Sequence, residues 1–138
     1  MFNVCTVNVN SLMSKVHYIN NIALEYDLHI ISVTETWLTE DCNSSFVQLP
    51  EYMFYRGDVE GSIRKHGAGL YIAKSLKHVE IDTYLPNIVA VHLLELDIHV
   101  VSIYRPPSYS ADENDKLLRF IEEFSLGVRF FFRGILIC

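Results

Sequence analysis

Apolar residues recur along this chain with two different spacings. Between residues 11 and 26 they follow the helical period, which predicts an amphipathic helix whose apolar face contains Leu12, Val16, Ile19, Ile22, Ala23 and Tyr26. Apolar segments at residues 2–7 and from residue 30 onward flank this helix and are predicted to be strands. A strand, a helix and a second strand in succession favour a parallel pair, so the chain begins as an α/β protein.

The rest of the chain predicts short strands followed by a second helix. The strands cover residues 52–56, 69–73, 79–83, 88–96 and 98–104, and the last two are expected to form a hairpin about Asp97. Ser110 and Glu113 have the spacing of a capping box, which predicts that a helix begins there. Its apolar stripe is expected to contain Leu117, Leu118, Phe120, Ile121 and Phe124, and Gly127 is expected to end it.

Glu35 follows directly on an apolar strand, which is an unusual position for a charge. Such a carboxylate must be hydrated, paired or bound to a metal, because burying it alone is costly. Two other apolar strands end near Asn8 and Tyr104. Because α/β folds bind ligands at strand ends, and Mg²⁺ prefers oxygen ligands, the three residues are predicted to share one rim of a single sheet. Each also has a plain structural interpretation: Asn8 as a turn residue, Glu35 as a solvated carboxylate and Tyr104 as the packed end of a strand.

The composition fits one domain with a sizeable core. The chain has 138 residues, of which 50% are apolar and 12% aromatic. Its three cysteines lie far apart and form no Cys-x-x-Cys pair, so the sequence indicates neither a disulfide framework nor a zinc site. No leader peptide or membrane span is recognisable, and an intracellular location, nuclear or cytoplasmic, is expected.

The charge distribution is uneven. The formal net charge is -6, yet five of the eleven basic residues fall in one stretch, namely Arg56, Arg64, Lys65, Lys74 and Lys77. A local excess of positive charge is compatible with a phosphate-bearing partner, although a solvated face is its commoner meaning. Arg64 and Lys65 are therefore candidate contacts to a nucleic-acid backbone.

Four short motifs, taken in order, resemble the endonuclease/exonuclease/phosphatase superfamily. They are Asn-Val-Asn-Ser-Leu at residues 8–12, Val-Thr-Glu-Thr-Trp-Leu at 33–38, Arg56 with Gly-Ala-Gly-Leu at 67–70, and Ile-Tyr-Arg-Pro-Pro at 103–107. Within this superfamily the chain is most similar to the endonuclease domain of LINE-type (non-LTR) retrotransposon proteins. The resemblance covers residues 2 to about 124, which correspond to the N-terminal half of that domain.

The resemblance implies a fold, a reaction and three site residues. The fold would be α/β, half of a four-layer α/β sandwich with a mixed sheet and flanking helices. The reaction would be the nicking of DNA phosphodiester bonds with Mg²⁺ or Mn²⁺ as the cofactor and DNA as the partner. By matching motifs, Glu35 would bind the metal, Asn8 would help to hold the metal and the phosphate, and the Tyr104 hydroxyl would support the transition state.

The last residues depart from the family pattern. The family has a strand ending in Gly-Asp-Phe-Asn and a later Ser-Asp-His, whereas Gly134 is followed here by Ile135, Leu136 and Ile137. Residues 1–138 are therefore expected to be a truncated domain, divergent from about residue 128, that lacks the C-terminal half and does not cleave DNA alone. An uncovered sheet face would favour non-specific self-association. Two alternatives stay open: a non-catalytic α/β binding or interaction module, and a phosphatase of the same superfamily.

Overall fold

A computed structural model describes residues 2–58, 66–131 and 134–137, and for residues 127–131 and 134–137 it describes the backbone only. The described residues form two four-stranded sheets. In spatial order the first sheet contains β1 (Val4–Asn8), β2 (Ile30–Thr34), β4 (Ala68–Ala73) and β3 (Tyr52–Gly57). The second sheet contains β5 (His78–Ile81), β6 (Ile88–Leu93), β7 (Ile98–Ile103) and β8 (Gly134–Ile137).

Both sheets are mixed, as the sequence indicated. The pairs β1–β2 and β7–β8 are parallel, and the other neighbouring strands are antiparallel. Helix α1 (Val16–Glu25) connects β1 to β2, and helix α2 (Ala111–Phe131) connects β7 to β8. The predicted hairpin about Asp97 is confirmed, because β6 and β7 pair from Leu93 and Ile98 outward.

The two sheets pack face to face. Ile30, Leu70 and Ile72 of the first sheet form one buried cluster with Val91 and Val100 of the second. The hydroxyls of Ser32 and Ser102 also meet across this interface at 2.7 Å. The expectation that this chain leaves an inner sheet face uncovered is therefore wrong, because its later strands supply a second sheet.

The helices cover the two outer faces. Ile19 and Ala23 of α1 are buried on the first sheet, and Leu117 and Phe120 of α2 are buried on the second. The order of layers is helix, sheet, sheet, helix, which confirms the four-layer α/β prediction. None of the helices in the described ranges is both long and apolar enough to span a membrane.

Helix boundaries differ from the sequence prediction at two points. Helix α1 begins at Val16 and not at residue 11, because Asn10 and Ser11 have φ of 46° and 88°, outside the helical range. Helix α2 continues through Gly127 to Phe131, since a helix tolerates an interior glycine at about 1 kcal/mol. Leu118 is 63% exposed and does not belong to the buried stripe.

The capping box at the start of α2 is confirmed. The Glu113 carboxylate accepts from the Ser110 backbone N–H at 2.8 Å, and the Ser110 hydroxyl accepts from the Glu113 N–H at 3.2 Å. Of the three cysteines, Cys5 and Cys42 are free thiols, and Cys138 lies outside the described residues.

Candidate metal and phosphate site

Glu35 and Tyr104 meet at the rim that the two sheets share. The Tyr104 hydroxyl donates to Oε1 of Glu35 at 3.0 Å. Glu35 follows β2 of the first sheet and Tyr104 follows β7 of the second, so the prediction of one rim on a single sheet is wrong. The strand ends nevertheless converge, because Ser32 and Ser102 are in contact a few residues before them.

Asn8 lies beside this pair at the end of β1. Its Cα is in register with that of Thr34, the residue before Glu35. Cys5 and Val7 pack toward α1, and because side chains alternate along a strand, Asn8 points to the opposite face of the sheet. The structure thus brings the three predicted site residues to one rim, with Glu35 and Tyr104 in direct contact and Asn8 exposed next to them.

The backbone that carries Glu35 is held in an unusual conformation. Glu35 and Trp37 have φ of 53° and 58°, in the left-handed region that costs a residue with a side chain about 1–2 kcal/mol. Hydrogen bonds from both sides hold this segment: Ser11 N–H donates to the Glu35 carbonyl at 3.0 Å, and Trp37 N–H donates to the His66 carbonyl at 2.9 Å. Strained backbone held in this way clusters at functional sites, which supports a functional interpretation of Glu35.

Gly67 fills the tight space behind the Glu35 segment. Its φ is 108°, and a Cβ at this position would overlap the Oγ1 atom of Thr36. Gly67 leads directly into β4. Its buried N–H donates to Oδ1 of Asn87 at 2.7 Å.

Asn87 connects three segments around Tyr104. Besides accepting from Gly67, its side-chain amide donates to the Tyr109 hydroxyl at 3.0 Å, and its backbone carbonyl accepts from Tyr104 N–H at 2.9 Å. It is 1% exposed and has a φ of 61°. Sequence reasoning missed this residue, because neither hydrophobic periodicity nor a motif marks an asparagine before a strand.

His66 was also missed. The His66 ring lies 6.0 Å from the Tyr104 ring, measured between centroids, at the edge of the candidate site. No ligand-type spacing in the sequence identifies it, since it comes close to Tyr104 only through the packing of the two sheets.

The electrostatics of the site keep Tyr104 protonated. Burial raises its pKa above the ordinary tyrosine value, and the hydrogen bond and the charge of Glu35 raise the pKa further. A protonated phenol is a hydrogen-bond donor, and in this structure it donates to Glu35.

The residues at the rim fit a magnesium-type metal. No cluster of three or more His, Cys, Asp or Glu side chains is found within residues 2–58, 66–131 and 134–137 that would hold a metal ion on protein ligands alone. Mg²⁺ does not need such a cluster, because it is usually bound through one or two carboxylates together with waters and substrate phosphates. Glu35, with Asn8 at the end of the neighbouring strand, matches this sparse kind of site.

The described members of the basic stretch lie at opposite ends of the first sheet. Arg56 donates to both carboxylate oxygens of Asp58 and to the carbonyls of Thr39 and Cys42, so it holds a loop in place. Lys74 and Lys77 follow β4 at the end that lies away from Glu35. Arg56 and the two lysines therefore do not share one surface, and the candidate phosphate contacts Arg64 and Lys65 lie outside the described residues and stay a prediction.

Solved structures share this fold, although no family model and no curated protein matches the sequence. An AP endonuclease from Archaeoglobus fulgidus is 16% identical with a TM-score of 0.62, and the match covers 93% of this chain and 51% of that one. A 3' phosphatase from Neisseria bound to a product DNA hairpin is 12% identical with a TM-score of 0.70, covering 99% and 56%. An AP endonuclease from Leishmania major is 14% identical with a TM-score of 0.59, covering 94% and 46%.

The chain spans about half the length of these proteins. At such low identity the likeness concerns the fold. The chain has the α/β sandwich fold of the endonuclease/exonuclease/phosphatase type.

Proposed function

We propose that this chain carries the Glu35–Tyr104 part of a metal-dependent phosphoesterase site that acts on DNA. The observation that supports this most directly is the 3.0 Å hydrogen bond between the Tyr104 hydroxyl and Glu35 at the rim joining the two sheets. It brings a metal-binding type of side chain and a neutral donor together at strand ends, where α/β folds bind their ligands.

Each residue has a distinct role in this proposal. Glu35 holds Mg²⁺ or Mn²⁺, and the Asn8 amide oxygen helps to hold it. The bound metal neutralises charge on phosphate oxygens. Tyr104, protonated because its pKa is raised, orients Glu35 in the free protein and donates to a phosphate oxygen when substrate is bound.

DNA is the proposed substrate for two reasons. The solved structures with this fold include two AP endonucleases and a 3' phosphatase bound to a product DNA hairpin. The motifs around Glu35 and Tyr104 also resemble those of LINE-type endonucleases, which favours nicking of a phosphodiester. The 3' phosphatase supports a second candidate, namely hydrolysis of a phosphomonoester at a DNA end.

Cleavage requires more than this pair. A water molecule must be positioned and deprotonated, and proton transfer alone contributes about 10²–10⁴-fold to a rate. In the proposed roles Glu35 is occupied by the metal and Tyr104 stays protonated, so neither serves as the base. We therefore expect the 138-residue chain to bind metal without cleaving DNA.

A metal titration tests the proposal with a matched control. Glu51 is an exposed glutamate with a similar backbone, φ 63°, at the turn before β3 and away from the rim. Titration of Mn²⁺ by electron paramagnetic resonance should show an affinity at least about 10-fold weaker in Glu35→Gln, and no change in Glu51→Gln. Equal affinities in wild type and Glu35→Gln would remove Glu35 from the metal site.

A further inference from the structure

A cleft of about 380 Å³ opens beside the Glu35–Tyr104 pair. Two of its lining residues, His66 and Asn87, also contact Tyr104. The His66 ring lies 6.0 Å from the Tyr104 ring, and the Asn87 carbonyl accepts the Tyr104 N–H at 2.9 Å. The cleft therefore lies next to Tyr104, whose hydroxyl is proposed to contact the reacting phosphate.

The charges around the cleft do not favour a phosphate inside it. Lys116 contributes one positive charge and Glu113 one negative charge. The Lys116 Nζ atom is also 3.2 Å from Oδ2 of Asp112, which partly neutralises its charge. A phosphate group in this cleft would meet one attractive and one repulsive side chain, with little net gain.

The walls instead suit a flat, uncharged ligand with polar edges. His66 and Tyr109 supply planar rings, and Leu85 and Leu117 supply apolar surface. The Ser108 hydroxyl and the His66 imidazole supply hydrogen-bonding groups at the same cleft. Rings of this kind stack with any nucleobase, since every base has a π-face.

We infer that this cleft holds the nucleobase next to the phosphoester bound at Glu35 and Tyr104. The inference rests on the proposed function, because it places the phosphate at that pair. In a nucleic-acid strand a base is joined to its phosphate through a single sugar. A strand whose phosphate lies at Tyr104 must place a neighbouring base close by, and the described residues provide a neutral, ring-lined cleft there.

Short single-stranded DNA with a missing base provides the test. The probes are a fluorescein-labelled oligodeoxynucleotide and a series of the same strand in which an abasic tetrahydrofuran residue replaces each nucleotide in turn. Anisotropy titrations in saturating Mn²⁺ should show one position at which the abasic residue weakens binding by about 5-fold or more, because a stacked base is lost. Small and equal losses of affinity at every abasic position would overturn the inference.

Two matched serine variants connect this effect to the cleft. Ser108 lines the cleft and is exposed, so Ser108→Trp fills the cleft without forcing an indole into the core. Ser75 is exposed beyond the opposite end of β4, and Ser75→Trp is the control. Ser108→Trp should lower the affinity for the intact strand to that for the abasic strand and leave the affinity for the abasic strand unchanged. Ser75→Trp should change neither affinity.

The outcomes separate this inference from the proposed function. One outcome is that Ser108→Trp weakens the binding of intact and abasic strands equally, or of neither, while Mn²⁺ binding still requires Glu35. In that case the cleft is not the base site and the proposed function stands. If neither strand binds when Mn²⁺ saturates Glu35, the cleft inference and DNA as the proposed substrate are both overturned, while the metal site at Glu35 stands. If Mn²⁺ affinity is indifferent to Glu35→Gln, both proposals fail.

Discussion

Removing the side chain of Asn87 should destabilise the fold more than any exposed substitution at the rim. Asn87 is 1% exposed and joins Gly67, Tyr104 and Tyr109. Its φ of 61° favours glycine or asparagine over alanine. Asn87→Gly therefore removes the side-chain hydrogen bonds without adding backbone strain.

The expected loss follows from two hydrogen bonds. The Gly67 N–H is buried and would lose its acceptor, which costs about 1–3 kcal/mol, and the bond to Tyr109 contributes about 0.5–1.5 kcal/mol. Together they predict a loss of about 1.5–4.5 kcal/mol. For a chain of this size that corresponds to a fall in Tm of roughly 4–14 °C.

Glu51 again provides the control, because it has the same backbone conformation on an exposed turn. Glu51→Gly should not destabilise the fold, because glycine relieves the strain that a side chain brings to a left-handed backbone and no buried hydrogen bond is lost. At both Asn87 and Glu51 the alanine variant should be about 1 kcal/mol less stable than the glycine variant, and this difference isolates the contribution of the backbone conformation. Urea denaturation of the five proteins measures all of these differences. A loss below about 1 kcal/mol for Asn87→Gly would show that Asn87 does not hold these segments together.

Three further predictions concern charge, nucleic acid and catalysis. Glu35→Gln should lower the pKa of Tyr104 toward the ordinary value, because the carboxylate charge is removed; an unchanged tyrosinate absorbance titration relative to Tyr104→Phe would contradict this. The raised pKa favours the fold below about pH 10, and this contribution should be lost as the pH rises through the pKa of folded Tyr104. DNA binding should weaken with salt, and Arg64→Ala or Lys65→Ala should flatten that slope if these residues contact the backbone; a salt-independent signal would exclude them. The chain should leave supercoiled plasmid uncut in Mg²⁺, and nicking that is lost in Glu35→Gln would show that another residue of this chain supplies the base.

The strands and the site pair were accessible from the sequence because they depend on local signals. An apolar run predicts a strand wherever it lies, and a charge at the end of such a run identified Glu35. The motif resemblance added Asn8 and Tyr104. The capping box at Ser110 was equally readable, because its two hydrogen bonds involve residues only three positions apart.

The errors concern long-range pairing and backbone conformation. Nothing local in β7 indicates that it joins a different sheet from β2, so Glu35 and Tyr104 were assigned to one sheet. The late start of α1 follows from left-handed residues at Asn10 and Ser11, which periodicity does not detect. Asn87 depends on both effects, since its role requires a left-handed backbone and three distant partners.

Paramagnetic broadening by Mn²⁺ locates the metal directly. It tests the central claim that the metal binds at Glu35, beside Tyr104. In amide NMR spectra, Mn²⁺ should broaden the signals of Asn8, Glu35 and Tyr104 first, and Glu35→Gln should abolish the effect. A rival position is the cleft of about 440 Å³ lined by Asp58, Glu80 and Asp82, which do not form a three-residue metal cluster but place three carboxylates around one opening. Broadening centred on these three carboxylates, with the Glu35 and Tyr104 signals still sharp, would contradict the account.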